Sequence, residues 1–211
     1  MSKVIDNEIS EIGLVPVVVI DDVADAVPAA EALDAGGVHV MEITLRTDAG
    51  ISAIEAVAKG APGVLVGAGT VMTLWKAQEA AAHGARFIVS PGFDRGIVSW
   101  CVKNHISVYP GCVTPTELMY AIDMGLDIVK FFPANTYGGV AAIKALSGPF
   151  PDIRFLPTGG VDLGNLNDYL IPQVHAVGGA WLCRRNDIRE KRFDAITEAC
   201  AKSVAIVQAA R

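Results

Sequence analysis

The sequence predicts an α/β fold built as a (β/α)8 barrel with an additional N-terminal helix, and three observations point there. Short β-branched runs alternate with Ala-rich stretches of helical spacing eight times in succession, the pattern of a parallel sheet with helices outside it. The chain has 211 residues, which suits one domain at the lower end of the size range of such TIM barrels. The first strand is not followed by a GxGxxG turn, the mark of the open doubly wound sheet that periodicity alone does not separate from a barrel.

The elements follow in order. Residues 1–12 carry Ile5, Ile9 and Ile12 on one helical face, predicting a helix that caps one end of the barrel. The expected strands are Val15–Ile20, Val38–Leu45, Val64–Gly69, Phe87–Ser90, Ser107–Tyr109, Ile128–Phe132, Arg154–Pro157 and Ala176–Gly178. The first stops at Asp21-Asp22, the others have Gly, Pro or Thr at or near an end, and each is followed by a helical stretch: Ala24–Ala35, Gly50–Lys59, Leu74–His83, Arg95–Asn104, Pro115–Met124, Gly139–Leu146, Leu163–Leu170 and Asp187–Ala209. No linker-like change of composition interrupts residues 1–211, so a single domain is expected.

Composition narrows the function classes. Hydrophobic residues make up 52% and charged ones 19%, enough for a core and unlike a disordered chain. The apolar run Leu14–Ile20 stops at Asp21 and Asp22, far short of the ~20 residues of a membrane span, and MSKVIDNEIS has no secretory h-region. A soluble cytoplasmic protein without a membrane partner is expected. The net charge of -6 argues against a nucleic-acid partner. The one basic knot, Arg184, Arg185, Arg189, Lys191 and Arg192, is mixed with Asp187, Glu190 and Asp194 and reads as a solvated face. Cys101, Cys112, Cys183 and Cys200 show neither CxxC pairing nor metal-ligand spacing with the histidines, so free thiols and no metal site are expected. Cys112, at the end of the fifth strand, has no local His to activate it and reads as a small buried hydrophobe. The scattered Trp75, Trp100 and Trp181 read as packing residues.

In a barrel, polar residues at the C-terminal strand ends face the active site. In the second strand, alternation puts Val40, Glu42, Thr44 and Arg46 on one face and Met41, Ile43 and Leu45 on the other. A carboxylate and a guanidinium therefore point toward the mouth, either as site residues or as a structural ion pair. In the sixth strand Ile128, Lys130 and Phe132 share a face. A Lys within such an apolar run loses solvation, which disfavours the ammonium and yields the neutral amine a Schiff-base nucleophile must be. That reading weighs more than a lysine snorkelling to the rim, because Pro133 ends the strand at once. Glycine turns close the last two strands, Pro157-Thr158-Gly159-Gly160 and Gly178-Gly179-Ala180, where backbone N–H groups can approach an anion.

These motifs together resemble a known family. Glu42-Ile43-Thr44-Leu45-Arg46-Thr47, Gly67-Ala68-Gly69-Thr70-Val71, Ser90-Pro91-Gly92, Pro110-Gly111, Lys130-Phe131-Phe132-Pro133-Ala134 and Pro157-Thr158-Gly159-Gly160 occur in the order found in the 2-keto-3-deoxy-6-phosphogluconate (KDPG) and 4-hydroxy-2-oxoglutarate (KHG) aldolases. The resemblance runs from about Val15 to Trp181. It implies a class I aldolase, a carbon–carbon lyase in which Lys130 forms a Schiff base with the keto acid and Glu42 is the general acid and base. Arg46 and Thr70 are then expected at the substrate carboxylate, with Pro91 and Phe132 walling the pocket and Thr158 at the pyruvate end. Gly159, Gly160, Gly178, Gly179 and Ala180 are expected at the phosphate. It further implies a homotrimer, no cofactor or metal, and the Entner–Doudoroff cleavage of KDPG to pyruvate and glyceraldehyde 3-phosphate.

One position departs from the family pattern. Many KDPG aldolases carry Gly-Gly-Ser-Trp where this chain has Gly178-Gly179-Ala180-Trp181, removing a hydroxyl donor, with Arg184 or Arg185 as the nearest substitutes in sequence. Cleavage of 4-hydroxy-2-oxoglutarate to pyruvate and glyoxylate therefore stands as the alternative, with oxaloacetate decarboxylation as a side activity of the same lysine. The reading from a different class is a barrel that binds a phosphorylated or keto-acid ligand without turning it over.

Overall fold

The computed structural model describes residues 3–210; Met1 and Ser2, part of the expected 1–12 helix, lie outside the described residues. The chain runs α1 (Lys3–Ile12), β1 (Leu14–Val18), α2 (Ala26–Ala35), β2 (Val40–Thr44), α3 (Gly50–Gly60), β3 (Leu65–Gly69), α4 (Leu74–Ala82), β4 (Phe87–Val89), α5 (Arg95–Lys103), β5 (Ser107–Tyr109), α6 (Pro115–Asp123), β6 (Ile128–Phe131), α7 (Gly139–Ser147), β7 (Arg154–Pro157), β8 (Val177–Gly179), α8 (Arg185–Arg189) and α9 (Phe193–Ala209). From β1 to β7 the strand-then-helix order is the expected one. Helix starts obey local chemistry: Thr73, Asp94 and Thr114 each accept a first-turn N–H, and Thr114 forms a capping box with Glu117.

The closed eight-stranded barrel is not what the strands form. The ladders give a six-stranded parallel sheet ordered β5-β4-β3-β2-β1-β8, curved as a half-barrel, and a separate two-stranded sheet of β6 and β7. Only isolated bridges cross the two seams. At the first, β5 runs straight into Pro110, which has no N–H to give, and pairing shrinks to the bridge between Gly111 and Lys130. At the second, Phe155 bridges Val174 while Thr158 bridges Gly178, so one extra residue on the β8 side breaks the register as a bulge would. Periodicity reads alternation, not the register that closure needs.

Two further elements differ. The stretch Leu163–Leu170 forms only the short 3-10 turn Leu166–Tyr169. The helix expected over Asp187–Ala209 is broken between α8 and α9, where Lys191 adopts a left-handed φ of 57°.

Alternation sorts the core into two layers. Met41, Ile43, Val66, Ala68 and Ile88 face the helices, whereas Val15, Val40, Leu65, Phe87, Tyr109, Ile128 and Leu156 form an inner cluster. α1 closes the N-terminal end of that cluster with Ile5 and Ile9, and Tyr109 donates from inside it to Asp6 Oδ1 at 2.7 Å. An apolar floor therefore lies under the C-terminal strand ends. Trp181 is buried, but Trp75 is 61% exposed, so it is not the packing residue the sequence suggested.

Candidate active site

Glu42 and Lys130 meet above that floor. Glu42 is fully buried and Lys130 is 5% exposed, with Nζ 3.5 Å from Glu42 Oε1. This is ion-pair contact but longer than a hydrogen bond, and neither Glu42 carboxylate oxygen has a hydrogen-bond partner among the described residues. A buried carboxylate with unused lone pairs is costly unless a reacting group or water completes it. Lys130 Nζ also lies 5.1 Å from the centre of the Phe132 ring.

The backbone fixes both side chains. Glu42 stands between Val17 and Gly67 in the parallel register. Its carboxylate fits because Gly69 carries no side chain: a Cβ there would stand 2.1 Å from Oε1. Lys130 N–H donates to Pro110 O and its carbonyl accepts from Cys112 N–H, both at 2.9 Å, so the lysine is anchored although the seam holds only one bridge.

The remaining expected residues fall around this pair. Arg46, exposed at the end of β2, donates from Nε to Thr70 Oγ1 at 3.2 Å, bringing the two residues expected at the carboxylate together. Thr70 holds φ at 57°, a left-handed value that a β-branched residue rarely takes and that recurs at functional sites. Pro91 is exposed, and its carbonyl would lie 2.1 Å from a Cβ on Gly111, the residue bridged to Lys130. Thr158 is buried beside Gly178, where a Cβ would stand 2.3 Å from Thr158 Oγ1. Gly159 packs on the Phe132 ring, 3.2 Å from its would-be Cβ, whereas Gly179 lies under the Trp181 ring. Ala180 is exposed and opens the 3-10 turn Ala180–Leu182.

Arg185, one of the two expected substitute donors, is engaged by Asp21. Its guanidinium grips Asp21 through Nε at 2.8 Å and through Nη2, and Arg189 Nε reaches the same carboxylate at 2.8 Å. Hydrogen bonding to Arg185 in the first place holds the Asp21 carboxyl down to about 2. The reading of these basic residues as a solvated face missed their pairing with Asp21; the signal available was Asp21 itself, an acid just past β1. All four cysteines are buried free thiols, and desolvation pushes Cys112 up to about 12, which fits its reading as a small hydrophobe.

A family model described as "KDPG and KHG aldolase" matches residues 5–199. The chain belongs to the KDPG and KHG aldolase family. It is 41% identical over 200 residues to the 2-dehydro-3-deoxy-phosphogluconate aldolase of Treponema pallidum, covering 94% of this chain and 95% of that one. It is 42% identical over 192 residues to the KHG/KDPG aldolase of Escherichia coli, covering 90% of each. The crystal structure of KDPG aldolase from Legionella pneumophila, with pyruvate captured at low pH as a covalent carbinolamine intermediate, superposes with a TM-score of 0.90 at 42% identity, covering 93% of this chain and 96% of that one. The Lys130–Glu42 contact sets an amine and a carboxylate side by side in a buried setting.

Proposed function

We propose that this chain is a Schiff-base aldolase that cleaves 2-keto-3-deoxy-6-phosphogluconate to pyruvate and glyceraldehyde 3-phosphate. The observation that carries the reading is the contact of Lys130 Nζ with the otherwise unbonded, buried carboxylate of Glu42. The Lys130 amine adds to the C2 carbonyl, and the carbinolamine loses water to give a protonated imine. Glu42 takes the proton of the C4 hydroxyl as the C3–C4 bond breaks. The bond's electron pair flows into the iminium, leaving an enamine and releasing the aldehyde. Glu42 then returns the proton to C3, and water hydrolyses the imine to free pyruvate and the amine. Positioned proton transfer of this kind contributes about 10²–10⁴-fold.

The other residues take the supporting roles. Arg46, oriented by Thr70, grips the keto-acid carboxylate by charge-assisted hydrogen bonds. Pro91 and Phe132 wall the pocket, and Thr158 borders the pyruvate end. The backbone of Gly159, Gly160, Gly178, Gly179 and Ala180 receives the phosphate. The exposed apolar side chains Met72, Leu74, Trp75, Met119, Tyr120 and Ile122 support assembly as a homotrimer. The proposed place of this activity is the Entner–Doudoroff cleavage step in the cytoplasm, and no described helix is long and apolar enough to cross a membrane. The continuous helix-side core from Leu14 to Val207 supports one working domain over residues 1–211.

A second reading, cleavage of 4-hydroxy-2-oxoglutarate to pyruvate and glyoxylate, is favoured by Ala180, which offers no hydroxyl, and by the engagement of Arg185 with Asp21. One hydroxyl donor fewer costs on the order of 1 kcal/mol of tail binding. Pyruvate release from each substrate, followed with lactate dehydrogenase, tests both. The phosphorylated substrate is expected to have the higher kcat/KM, and Lys130→Met to abolish turnover of either; full activity of Lys130→Met would overturn the mechanism. Carbon dioxide release from oxaloacetate reports the side activity of the same lysine.

A further inference from the structure

The residue that aims the anion-binding turn after β7 stands outside the pocket, directly beyond the strand that carries the nucleophile. Gly159 and Gly160 both hold left-handed backbone, with φ of 94° and 79°. Such a turn has no ladder to define it and depends on what its carbonyls meet. The Gly159 carbonyl accepts from the Asn135 backbone N–H at 3.1 Å. The Gly160 carbonyl accepts from Asn135 Nδ2 at 2.6 Å and from Asn165 Nδ2 at 2.9 Å. Asn135 is itself oriented: the buried Tyr169 donates its hydroxyl to Asn135 Oδ1 at 2.6 Å. The Gly160 carbonyl settles the amide, because an oxygen that can only accept needs Nδ2 toward it and leaves Oδ1 to accept from the Tyr169 hydroxyl. Asn165 is fixed likewise, accepting from Asp162 N–H at 2.9 Å through Oδ1. The fit is close, since a Cβ on Gly160 would lie 2.6 Å from Asn135 Cβ.

A trans peptide is planar, with N–H and C=O on opposite sides. Pinning the Gly159 carbonyl toward Asn135 turns the Gly160 N–H away from it, and pinning the Gly160 carbonyl turns the Val161 N–H away likewise. Two consecutive donors then face the side opposite Asn135, as an anion cradle requires. We propose that Asn135, held by Tyr169 and supported by Asn165, is a positioning residue that sets the Gly159–Gly160 turn to receive the anionic tail of the substrate. The inference rests on the reading that this turn binds the phosphate. Asn135 follows Lys130 by five residues on the same segment, so the residue set under the turn and the amine lie on one stretch of chain.

Steady-state kinetics of Asn135→Ala and Tyr169→Phe with the phosphorylated keto acid and with 4-hydroxy-2-oxoglutarate test this, together with competition by inorganic phosphate. For Asn135→Ala, KM for the phosphorylated substrate and the inhibition constant of phosphate are expected to rise about tenfold or more, the scale of losing one oriented polar contact. Its kcat and the trapping of pyruvate on the lysine should stay within about threefold of wild type, since neither uses the turn. Tyr169→Phe keeps the ring, loses only the hydroxyl, and should move the same two constants in the same direction by a smaller factor. Unchanged KM and phosphate inhibition in both folded variants, while phosphate competes with wild type, would overturn the positioning role alone. Failure of phosphate to compete with wild type would overturn the tail reading and the inference with it.

Discussion

Replacing Gly69 by Ala tests the position of the Glu42 carboxylate without touching Glu42 or its charge. Gly69 ends β3, pairs with Thr44, and its φ is not in the left-handed region, so the backbone accepts Ala. The new methyl would stand 2.1 Å from Glu42 Oε1 and 2.6 Å from Cγ, far inside contact distance. Since ordinary non-bonded contact begins near ~3.5 Å, the carboxylate must retreat by roughly 1 Å or more. Glu42 is fully buried, so that retreat changes its separation from Lys130 rather than letting it swing into water. A misplacement of about 1 Å in a reacting group costs on the order of 10²-fold in rate. The expected result is a fall in kcat of about that size for pyruvate release, together with about 1–3 kcal/mol of lost stability from overpacking in urea titrations. A folded Gly69→Ala enzyme with kcat within twofold of wild type would refute the claim that turnover depends on where Glu42 holds its carboxylate.

Other perturbations separate the remaining parts of the account. Thr70→Gly relieves the left-handed strain at φ 57° and removes the hydroxyl that orients Arg46; the expectation is unchanged or slightly raised stability, by up to about 1 kcal/mol, with a higher KM for the keto acid, and a lower Tm with an unaltered KM would contradict it. His175 is buried, and burial first of all lowers its pKa below 6.5, with Arg154 adding to the lowering and Asp6, through its charge and its backbone, and Asp127 opposing it. The folded state therefore favours the neutral ring, so stability is fully present above pH 6.5 and is lost as pH falls from 6.5 through the lowered folded value. In urea titrations at falling pH, His175→Leu should lose less stability than wild type over that window; parallel curves would contradict the assignment. Tyr109→Phe strips Asp6 of a buried donor at 2.7 Å and should cost about 1.5–3 kcal/mol by loosening α1. A loss below about 0.5 kcal/mol would show that this bond does not hold the helix.

Much of the site was legible because it lies on strands. Period-two alternation places Glu42 and Lys130 inward without knowledge of the neighbouring strands, and a Lys in an apolar run announces itself. Arg46 meets Thr70 because successive strands end side by side. What local pattern could not reveal depends on register and distant pairing. The seams on either side of β6 and β7 failed to form ladders through a proline and a one-residue offset, neither of which alters the helix–strand rhythm. The break between α8 and α9 follows from a backbone turn at Lys191, a residue with no punctuating signature. The pairing of Asp21 with Arg185 joins residues 164 apart in sequence, and the role of Asn135 emerges only once Tyr169 and Gly160 are seen beside it.

The central claim is that Lys130 is the amine that captures the keto acid. Incubation with pyruvate and borohydride, followed by intact-mass and peptide mass spectrometry, tests it most directly. The account predicts one pyruvate-derived adduct per chain, mapped to Lys130 and absent from Lys130→Met. A folded, pyruvate-binding protein that carries no adduct, or carries it on another lysine, would contradict the account and leave Lys130 a structural residue of the strand.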